Sequence, residues 1–89
     1  MKTLTNKEIA QLIQEKVQDT KIELGFNFTY YDKDIKKDRS DFLCAVDYSY
    51  RGNCCHVGVK LLNAGWVNYR DFDYSDRRQI ELFIRYAYV

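Results

Sequence analysis

Apolar residues near the start of the chain recur at three- and four-residue intervals, which is the spacing of an amphipathic helix. The residues on this stripe are Ile9, Leu12, Ile13 and Val17. Before them, Thr5 is followed three positions later by Glu8, the pattern of a capping box at a helix start. Together these features predict a helix over residues 5–19.

A different period begins at Lys21, where apolar and polar residues alternate as they do along a half-buried β-strand. The apolar positions of this strand are Ile22, Leu24, Phe26, Phe28 and Tyr30. The charged stretch that follows, residues 32–41, has no apolar period and predicts an exposed hairpin loop. A second strand is then expected over residues 42–51.

Gly52 and Asn53 form a favoured two-residue hairpin turn, and such a turn fixes the register of the strands on both sides. In this register each apolar residue of the second strand meets an apolar residue of the third. The predicted pairs are Tyr50 with Cys55, Tyr48 with Val57, Val46 with Val59 and Cys44 with Leu61. The opposite face carries more polar residues, so one face is predicted to be core and the other open.

The last part of the chain is predicted to form a short strand and a helix. A turn at residues 63–65 precedes a fourth strand over residues 66–70. Ser75 is the expected N-cap of a helix over residues 76–88. The apolar stripe of this helix consists of Ile80, Phe83, Ile84, Ala87 and Tyr88. A strand is the competing interpretation, because apolar residues of this segment also alternate with period two.

The elements occur in the order α-β-β-β-(β)-α, which predicts an α+β fold with two layers. The expected architecture is an antiparallel meander of three or four strands, with an N-terminal and a C-terminal helix on its apolar face. A length of 89 residues leaves room for one domain, so residues 1–89 are expected to fold as a single domain.

The chain is nearly neutral, with 14 Lys and Arg against 13 Asp and Glu, and its net charge is +1. Constitutive binders of nucleic acids or anionic membranes usually carry a clear basic excess. No apolar run approaches the about 20 residues that span a bilayer, and residues 1–7 lead into no apolar core of a secretory signal. Three cysteines, an odd number, fit a reducing compartment. These features predict a cytoplasmic protein with no membrane partner.

One cluster resembles a metal or thiol site, namely Cys54, Cys55 and His56 with Cys44 across the hairpin. Neighbouring residues on a strand point to opposite faces, which leaves at most two ligands on each side. Cys54 and His56 share a face, but a separation of about 7 Å along the strand is too long for a direct hydrogen bond. We therefore expect no metal site, no cofactor and no catalytic residue, and a protein that is not an enzyme.

Nucleic-acid binding is one alternative, because the charged loop places four cations beside Tyr30 and Tyr31. These cations are Lys33, Lys36, Lys37 and Arg39. The helix–sheet–helix order also resembles that of the double-stranded RNA-binding domain, a family that grips phosphates from the start of its last helix. Arg77 and Arg78 lie where that family keeps its basic cluster, so the resemblance implies that both contact the nucleic acid.

The predicted C-terminal helix carries a second apolar stripe, which consists of Leu82, Tyr86 and Val89. A helix that is apolar on two sides needs a second covering surface. A partner protein, a second copy of the chain in a homodimer, or the fourth strand would supply it. The eight Tyr and one Trp of the chain are residue types that dominate interface hot spots, although several tyrosines building a small core explain the same composition.

In size and element order the chain resembles the small inhibitors that phages and mobile elements encode, in particular anti-CRISPR proteins. Some of these proteins place one N-terminal helix before a three-stranded antiparallel sheet that is followed by a helix. The resemblance implies a protein that binds a CRISPR-Cas effector nuclease and blocks it without catalysis, in the cytoplasm of a bacterial host. The leading hypothesis is a non-enzymatic protein-binding module. Its predicted contact residues are Tyr31, Lys33, Lys36, Lys37, Arg39, Leu82, Tyr86 and Val89.

Overall fold

The computed structural model describes residues 2–87. The helices are α1 (Asn6–Lys16) and α2 (Tyr74–Ala87), and the strands are β1 (Lys21–Asp32), β2 (Lys37–Arg51), β3 (Cys54–Leu61) and β4 (Gly65–Asn68). A 3₁₀ turn, Tyr69–Asp71, connects β4 to α2. The order α-β-β-β-β-α confirms the predicted α+β fold.

The four strands form one antiparallel sheet in the order β1-β2-β3-β4, so strands that follow one another in the chain are neighbours. β1 and β4 are therefore the edge strands. The two helices contact each other and lie on one face, where α1 packs mainly against β3 and α2 against β1. The core between helices and sheet includes Ile9, Ile13, Phe28, Leu43, Val59, Ile80 and Ile84. None of the described elements covers the opposite face of the sheet.

The N-terminus of α1 has the predicted capping box. The Thr5 hydroxyl accepts a hydrogen bond from the Glu8 N–H at 3.2 Å, and the Glu8 carboxylate accepts one from the Thr5 N–H at 2.9 Å. The helix ends at Lys16, so the predicted end at residue 19 is wrong. Val17 already has extended backbone, with φ −139° and ψ 157°. The polar residues after Val17 cannot continue the apolar stripe, and the chain turns towards β1.

The predicted loop over residues 32–41 is wrong, because the β1–β2 ladder extends to the pair Asp32 and Lys37. Only residues 33–36 form the loop. The Asp32 carboxylate accepts a hydrogen bond from the Asp34 N–H at 2.9 Å, and Lys36 closes the turn with a φ of 56°. These charged residues form strand because β1 offers them backbone hydrogen-bond partners. Side chains on both faces of this two-stranded end reach solvent, so the strand has no apolar period from which it could be predicted.

Three of the four predicted β2–β3 pairs are confirmed, and the fourth is wrong. Leu61 lies opposite Leu43 rather than Cys44, since a bulge interrupts the ladder between Leu43 and Ala45. The run from Phe42 to Val46 is apolar throughout and therefore does not specify a register. The bulge allows Leu43 and Val46 to face the core together, and it leaves Cys44 on the open side.

The C-terminal segment is a helix, so the competing strand interpretation is wrong. The predicted N-cap Ser75 is also wrong, because α2 already includes Tyr74, and the Arg77 N–H donates to the Asp73 carbonyl at 2.9 Å. Ile80 and Ile84 from the predicted stripe are fully buried. Tyr88 and Val89 lie outside the described residues. Neither α1 nor α2 is long and apolar enough to cross a membrane.

The fourth strand is confirmed, but it ends at Asn68 instead of residue 70. Tyr69 begins the 3₁₀ turn and inserts into the core, where its hydroxyl donates to the Leu4 carbonyl at 3.2 Å. Burial raises the pKa of Tyr69 to about 12. The phenol is therefore neutral at physiological pH and ties the segment before α1 to the end of the sheet.

Asp41 holds the β3–β4 turn in place. Its buried carboxylate accepts hydrogen bonds from the backbone N–H groups of Asn63 at 3.1 Å and Ala64 at 3.0 Å, and from its neighbour Phe42 at 2.7 Å. Burial by itself raises the pKa of this carboxyl, but the hydrogen bonds outweigh it and hold the pKa below the ordinary value of 3.8. The folded state therefore favours the charged form.

Asp41→Asn is expected to lower the free energy of unfolding by about 1–2 kcal/mol at pH 7, because a neutral amide replaces a charged acceptor of several hydrogen bonds. The lowered pKa of Asp41 means that its stabilising contribution is present above pH 3.8 and is lost as the pH falls through the folded-state value. Urea unfolding of wild type and variant at several pH values measures the loss of stability and its pH dependence. A difference between wild type and variant that stays constant down to pH 2 would contradict this role.

Candidate protein-interaction surface

Two of the four predicted cationic contact residues of the β1–β2 hairpin form ion pairs with carboxylates. Arg39 Nη1 lies 3.2 Å from Asp32 Oδ2, and Lys33 Nζ lies 3.6 Å from Asp73 Oδ1. Two further predicted residues of this hairpin, Lys36 and Lys37, are exposed and make no ion pair within residues 2–87. The hairpin end is thus a mixed-charge surface.

Tyr31, another predicted contact residue, anchors this hairpin to α2. Its backbone N–H donates to Asp76 Oδ2 at 2.9 Å, across the edge of the sheet. Burial raises the pKa of Asp76, and the hydrogen bond from Tyr31 only partly offsets this effect. The contact occupies one backbone donor of the exposed edge strand and fixes the hairpin relative to the first turn of α2.

The predicted helix contacts lie apart from the hairpin. Tyr86 is exposed near the end of α2, Leu82 is half-buried, and Val89 lies outside the described residues. The rise from Asp76 to Tyr86 is about 15 Å along the helix axis. The structure therefore separates the two groups of predicted contact residues instead of bringing them into one patch.

The side chains of Arg77 and Arg78, which the nucleic-acid alternative predicts as contacts, lie in different surroundings. Arg78 Nη1 lies 2.9 Å from Oε2 of the buried Glu81, which is held on its other side by Arg85 at 3.1 Å. Arg77 instead borders a groove that Lys7 also lines. The two arginines do not form a joint basic cluster.

The three cysteines and His56 do not come together in one site. Cys44, Cys54 and Cys55 are free thiols, and only Cys54 is well exposed. His56 is exposed on the open face of the sheet, opposite Ser49. Across residues 2–87, no three His, Cys, Asp or Glu side chains gather closely enough to hold a metal ion.

Two aromatic rings lie on the open face of the sheet, each beside a glycine of a neighbouring strand. The Trp66 ring lies beside β3, and its Cε3 atom is 3.1 Å from the place where a Gly58 side chain would begin. The Phe42 ring lies 3.5 Å from the corresponding place at Gly25 of β1. A side chain at Gly58 would push against the Trp66 ring, whereas a Cβ at Gly25 would only touch the Phe42 ring, so Gly58 in particular makes room for an aromatic side chain that remains accessible.

Trp66 and Phe42 are connected by a shallow cavity of about 450 Å³, to which Cys44 and Lys60 also contribute. Leu62 extends this surface, because its N–H donates to the Phe42 carbonyl at 2.9 Å and its side chain is exposed. The open face thus carries an apolar area within a polar sheet surface.

A second group of aromatic residues lies on the helix side of β1. Phe83 of α2 stacks on Phe26 of β1, with ring centroids 3.5 Å apart and planes 18° apart. Tyr86 lies beside them, around a cavity of about 460 Å³. This cavity shares residues 23–25 with the cavity below Trp66. The shared segment contains the irregularity that interrupts the β1–β2 ladder between Glu23 and Phe26.

Four exposed rings therefore line the two cavities that meet at the bulged part of β1, and we refer to them as the aromatic belt. Its members are Phe42 (38% exposed), Phe83 (39%), Trp66 (54%) and Tyr86 (70%). Of these, only Tyr86 was among the contact residues predicted from the sequence. The signal that identifies Phe42 and Trp66 is the presence of Gly25 and Gly58 inside strands, where a glycine often marks close approach by another group.

The chain was compared with known proteins. It matches no protein-family model, no curated protein and no solved structure.

Proposed function

We propose that this protein is a non-enzymatic protein-binding module and that the aromatic belt is its contact surface. The observation that carries the proposal is a set of four exposed rings around two cavities that meet at residues 23–25 of β1. Exposed apolar patches of this kind mark interaction sites, and aromatic side chains dominate the binding energy of protein interfaces. A monomer gains nothing from leaving such rings in water.

The surroundings of the belt match the usual anatomy of an interface, in which a polar rim encloses an apolar centre. Lys21 and Glu23 pair at the rim with 3.7 Å between Nζ and Oε1, and Lys60 lies next to Trp66. The rim carries charges of both signs. The fitting partner is a folded protein with an apolar patch or groove, rather than a uniformly charged polymer.

Inhibition of a host defence nuclease, such as a CRISPR-Cas effector, is the specific form of this proposal. Its support is the resemblance to anti-CRISPR proteins in size and in the order of helices and strands. In this form the belt occupies a surface of the nuclease in the cytoplasm of a bacterial host and blocks it sterically. The identity of the captured partner decides between this form and other protein-binding roles.

The experiment is affinity capture with the full chain as bait, with and without nuclease treatment, followed by binding measurements with the purified partner. The proposal expects one stoichiometric protein whose recovery is insensitive to nuclease. Recovery that is lost on nuclease treatment would contradict it and favour the nucleic-acid alternative. Light scattering tests the homodimer alternative, since a dimer that becomes monomeric on Trp66→Ser would assign the belt to self-association.

Tyr86→Asp is expected to weaken binding of the captured partner at least about tenfold, because the interface would have to desolvate a carboxylate. Tyr86 is largely exposed, so circular dichroism and the urea midpoint are expected to stay unchanged. Tyr74→Asp is the matched control, since Tyr74 is an exposed tyrosine at the opposite end of α2. Equal binding by the two variants would remove Tyr86 from the contact surface.

The double variant Leu82→Asp/Tyr86→Asp tests the pair of helix contacts predicted from the sequence. Leu82 is half-buried, so a carboxylate at this position is expected to reduce stability as well as binding. The double variant is therefore interpreted together with Tyr86→Asp alone. If the double variant binds the partner weakly but Tyr86→Asp alone binds it normally, the loss of binding reflects a loss of the fold rather than of a contact.

A further inference from the structure

A groove of about 580 Å³ lies at the end of the molecule where the β2–β3 turn meets the beginning of α1. Three cationic side chains border it, and each comes from a different part of the chain. Lys7 belongs to the first turn of α1, Arg70 to the 3₁₀ turn and Arg77 to α2. Among residues 2–87, those that line the groove include no aspartate or glutamate.

The three cations are unpaired, which distinguishes them from those of the β1–β2 hairpin. Within the described part of the chain, none of the three lies within ion-pair distance of a carboxylate. Two carboxylates that act on the neighbouring Tyr69 are engaged in other hydrogen bonds or ion pairs. Glu8 accepts the Thr5 N–H at 2.9 Å, and Glu81 binds two arginines outside the groove. Unpaired cations that converge in one concave site favour an anionic ligand.

Two buried polar atoms at this groove also lack a hydrogen-bond partner among residues 2–87, namely Arg77 Nε and Asn6 Oδ1. The first is a donor and the second an acceptor. The Asn6 amide is held by its Nδ2 group, which donates to the Cys55 carbonyl at 3.0 Å, and Oδ1 is buried without a donor, so a ligand hydroxyl satisfies it once the groove opens slightly. A ligand that combines an anionic group with a hydroxyl group would satisfy both types of atom.

We infer that this groove binds a small phosphorylated molecule that carries hydroxyl groups, such as a sugar phosphate or a nucleoside monophosphate. Lys7, Arg70 and Arg77 contact the phosphate, and Asn6 accepts a hydrogen bond from a ligand hydroxyl. The groove has the volume of a typical small-molecule site. It shares no residue with the aromatic belt, so it is tested independently of the proposed function.

A small ligand fits the distribution of charge better than a nucleic-acid strand does. Lys7 and Arg77 border this groove, and Arg70 lies between it and the neighbouring cavity below the hairpin, whereas Arg78 is bound to Glu81 and the hairpin cation Arg39 to Asp32. A polyanion needs a stripe or patch of cations along its backbone. The net charge of +1 adds no long-range attraction for such a polymer.

Isothermal titration calorimetry with ribose 5-phosphate, adenosine monophosphate, inorganic phosphate and a single-stranded oligonucleotide tests the inference at constant ionic strength. We expect at least one of the two hydroxyl-bearing phosphates to bind with a stoichiometry of one and a Kd below about 1 mM. Inorganic phosphate is expected to bind more weakly, because it offers no hydroxyl group placed for Asn6. The double variant Lys7→Gln/Arg70→Gln is expected to weaken binding at least about tenfold.

The matched control is Lys36→Gln/Lys37→Gln, which removes the same charge from the exposed hairpin and is expected to change the Kd less than about twofold. Equal weakening by the two double variants would overturn the inference, because it would indicate attraction by net charge alone. Absence of heat with both hydroxyl-bearing phosphates would also overturn it. So would binding only of the oligonucleotide with a steep salt dependence, which would assign the cations to nucleic acid.

Discussion

Phe28→Ala is expected to lower the free energy of unfolding by about 3–5 kcal/mol. Phe28 is 1% exposed and occupies the centre of the layer between β1 and the helices. Its ring packs edge-on against Phe26 and Phe72, with centroids 5.9 and 5.7 Å away, and stacks on Tyr30 at 5.4 Å. Removing the ring leaves a cavity that these neighbours fill only partly. Since a small domain is stable by about 5–15 kcal/mol in total, the variant loses a large share of its stability.

Phe42→Ala provides the matched control, because it makes the same chemical change on the opposite face of the sheet. Phe42 is 38% exposed and lies outside the helix-covered core, so its loss is expected to cost about 1–2 kcal/mol. Urea unfolding followed by circular dichroism measures both variants. Similar losses for Phe28→Ala and Phe42→Ala would contradict the assignment of one face to the core and the other to solvent.

The double variant Phe42→Ser/Trp66→Ser is expected to lower the affinity for the captured partner at least about 100-fold, because it removes two of the four rings of the belt. Both side chains lie on the open face and contribute little to the helix-covered core, so the variant is expected to remain folded. The affinity is measured by calorimetry or surface plasmon resonance with the purified partner.

A control for this variant is Tyr50→Ser/Tyr74→Ser, which removes two exposed aromatic side chains outside the belt. This variant is expected to bind the partner within about threefold of the wild type. If it loses affinity as strongly as Phe42→Ser/Trp66→Ser, the contribution of exposed rings is not specific to the belt, and the proposed contact surface is wrong.

Local signals with a single physical interpretation were sufficient to predict much of the fold. The capping box of Thr5 and Glu8 predicted the start of α1, because it satisfies backbone donors that have no other partner. The turn at Gly52 and Asn53 predicted the β2–β3 register up to Ala45. Both signals act over a few residues and do not depend on the rest of the molecule.

The errors occur where the pattern of apolar residues does not specify the structure. The run from Phe42 to Val46 permits either register, and the choice that buries Leu43 depends on packing against Leu61 and the helices. The charged residues 37–41 form strand because β1 offers backbone partners to them, which composition does not reveal. Long-range contacts decide both cases.

The candidate site was harder to predict than the fold, because a belt of rings from three separate elements depends on tertiary structure. Trp66 and Phe42 come together only in the folded sheet, and Phe83 approaches them across the edge strand. The helical spacing of Phe83 predicts a place on the core stripe of α2, yet Phe83 lies at the border of the core beside Phe26. Only Tyr86 was predictable as exposed, from its position on the second stripe.

Trp66 is the only tryptophan in the sequence and belongs to the aromatic belt, so its fluorescence reports directly on the central claim. The measurement is the emission spectrum and acrylamide quenching of Trp66 during titration with the captured partner, or with a variant of that partner without tryptophan. Burial of the belt predicts a blue-shifted emission and a several-fold smaller quenching constant at saturation. Unchanged emission and quenching in a complex that co-elutes on size-exclusion chromatography would show that the partner binds elsewhere.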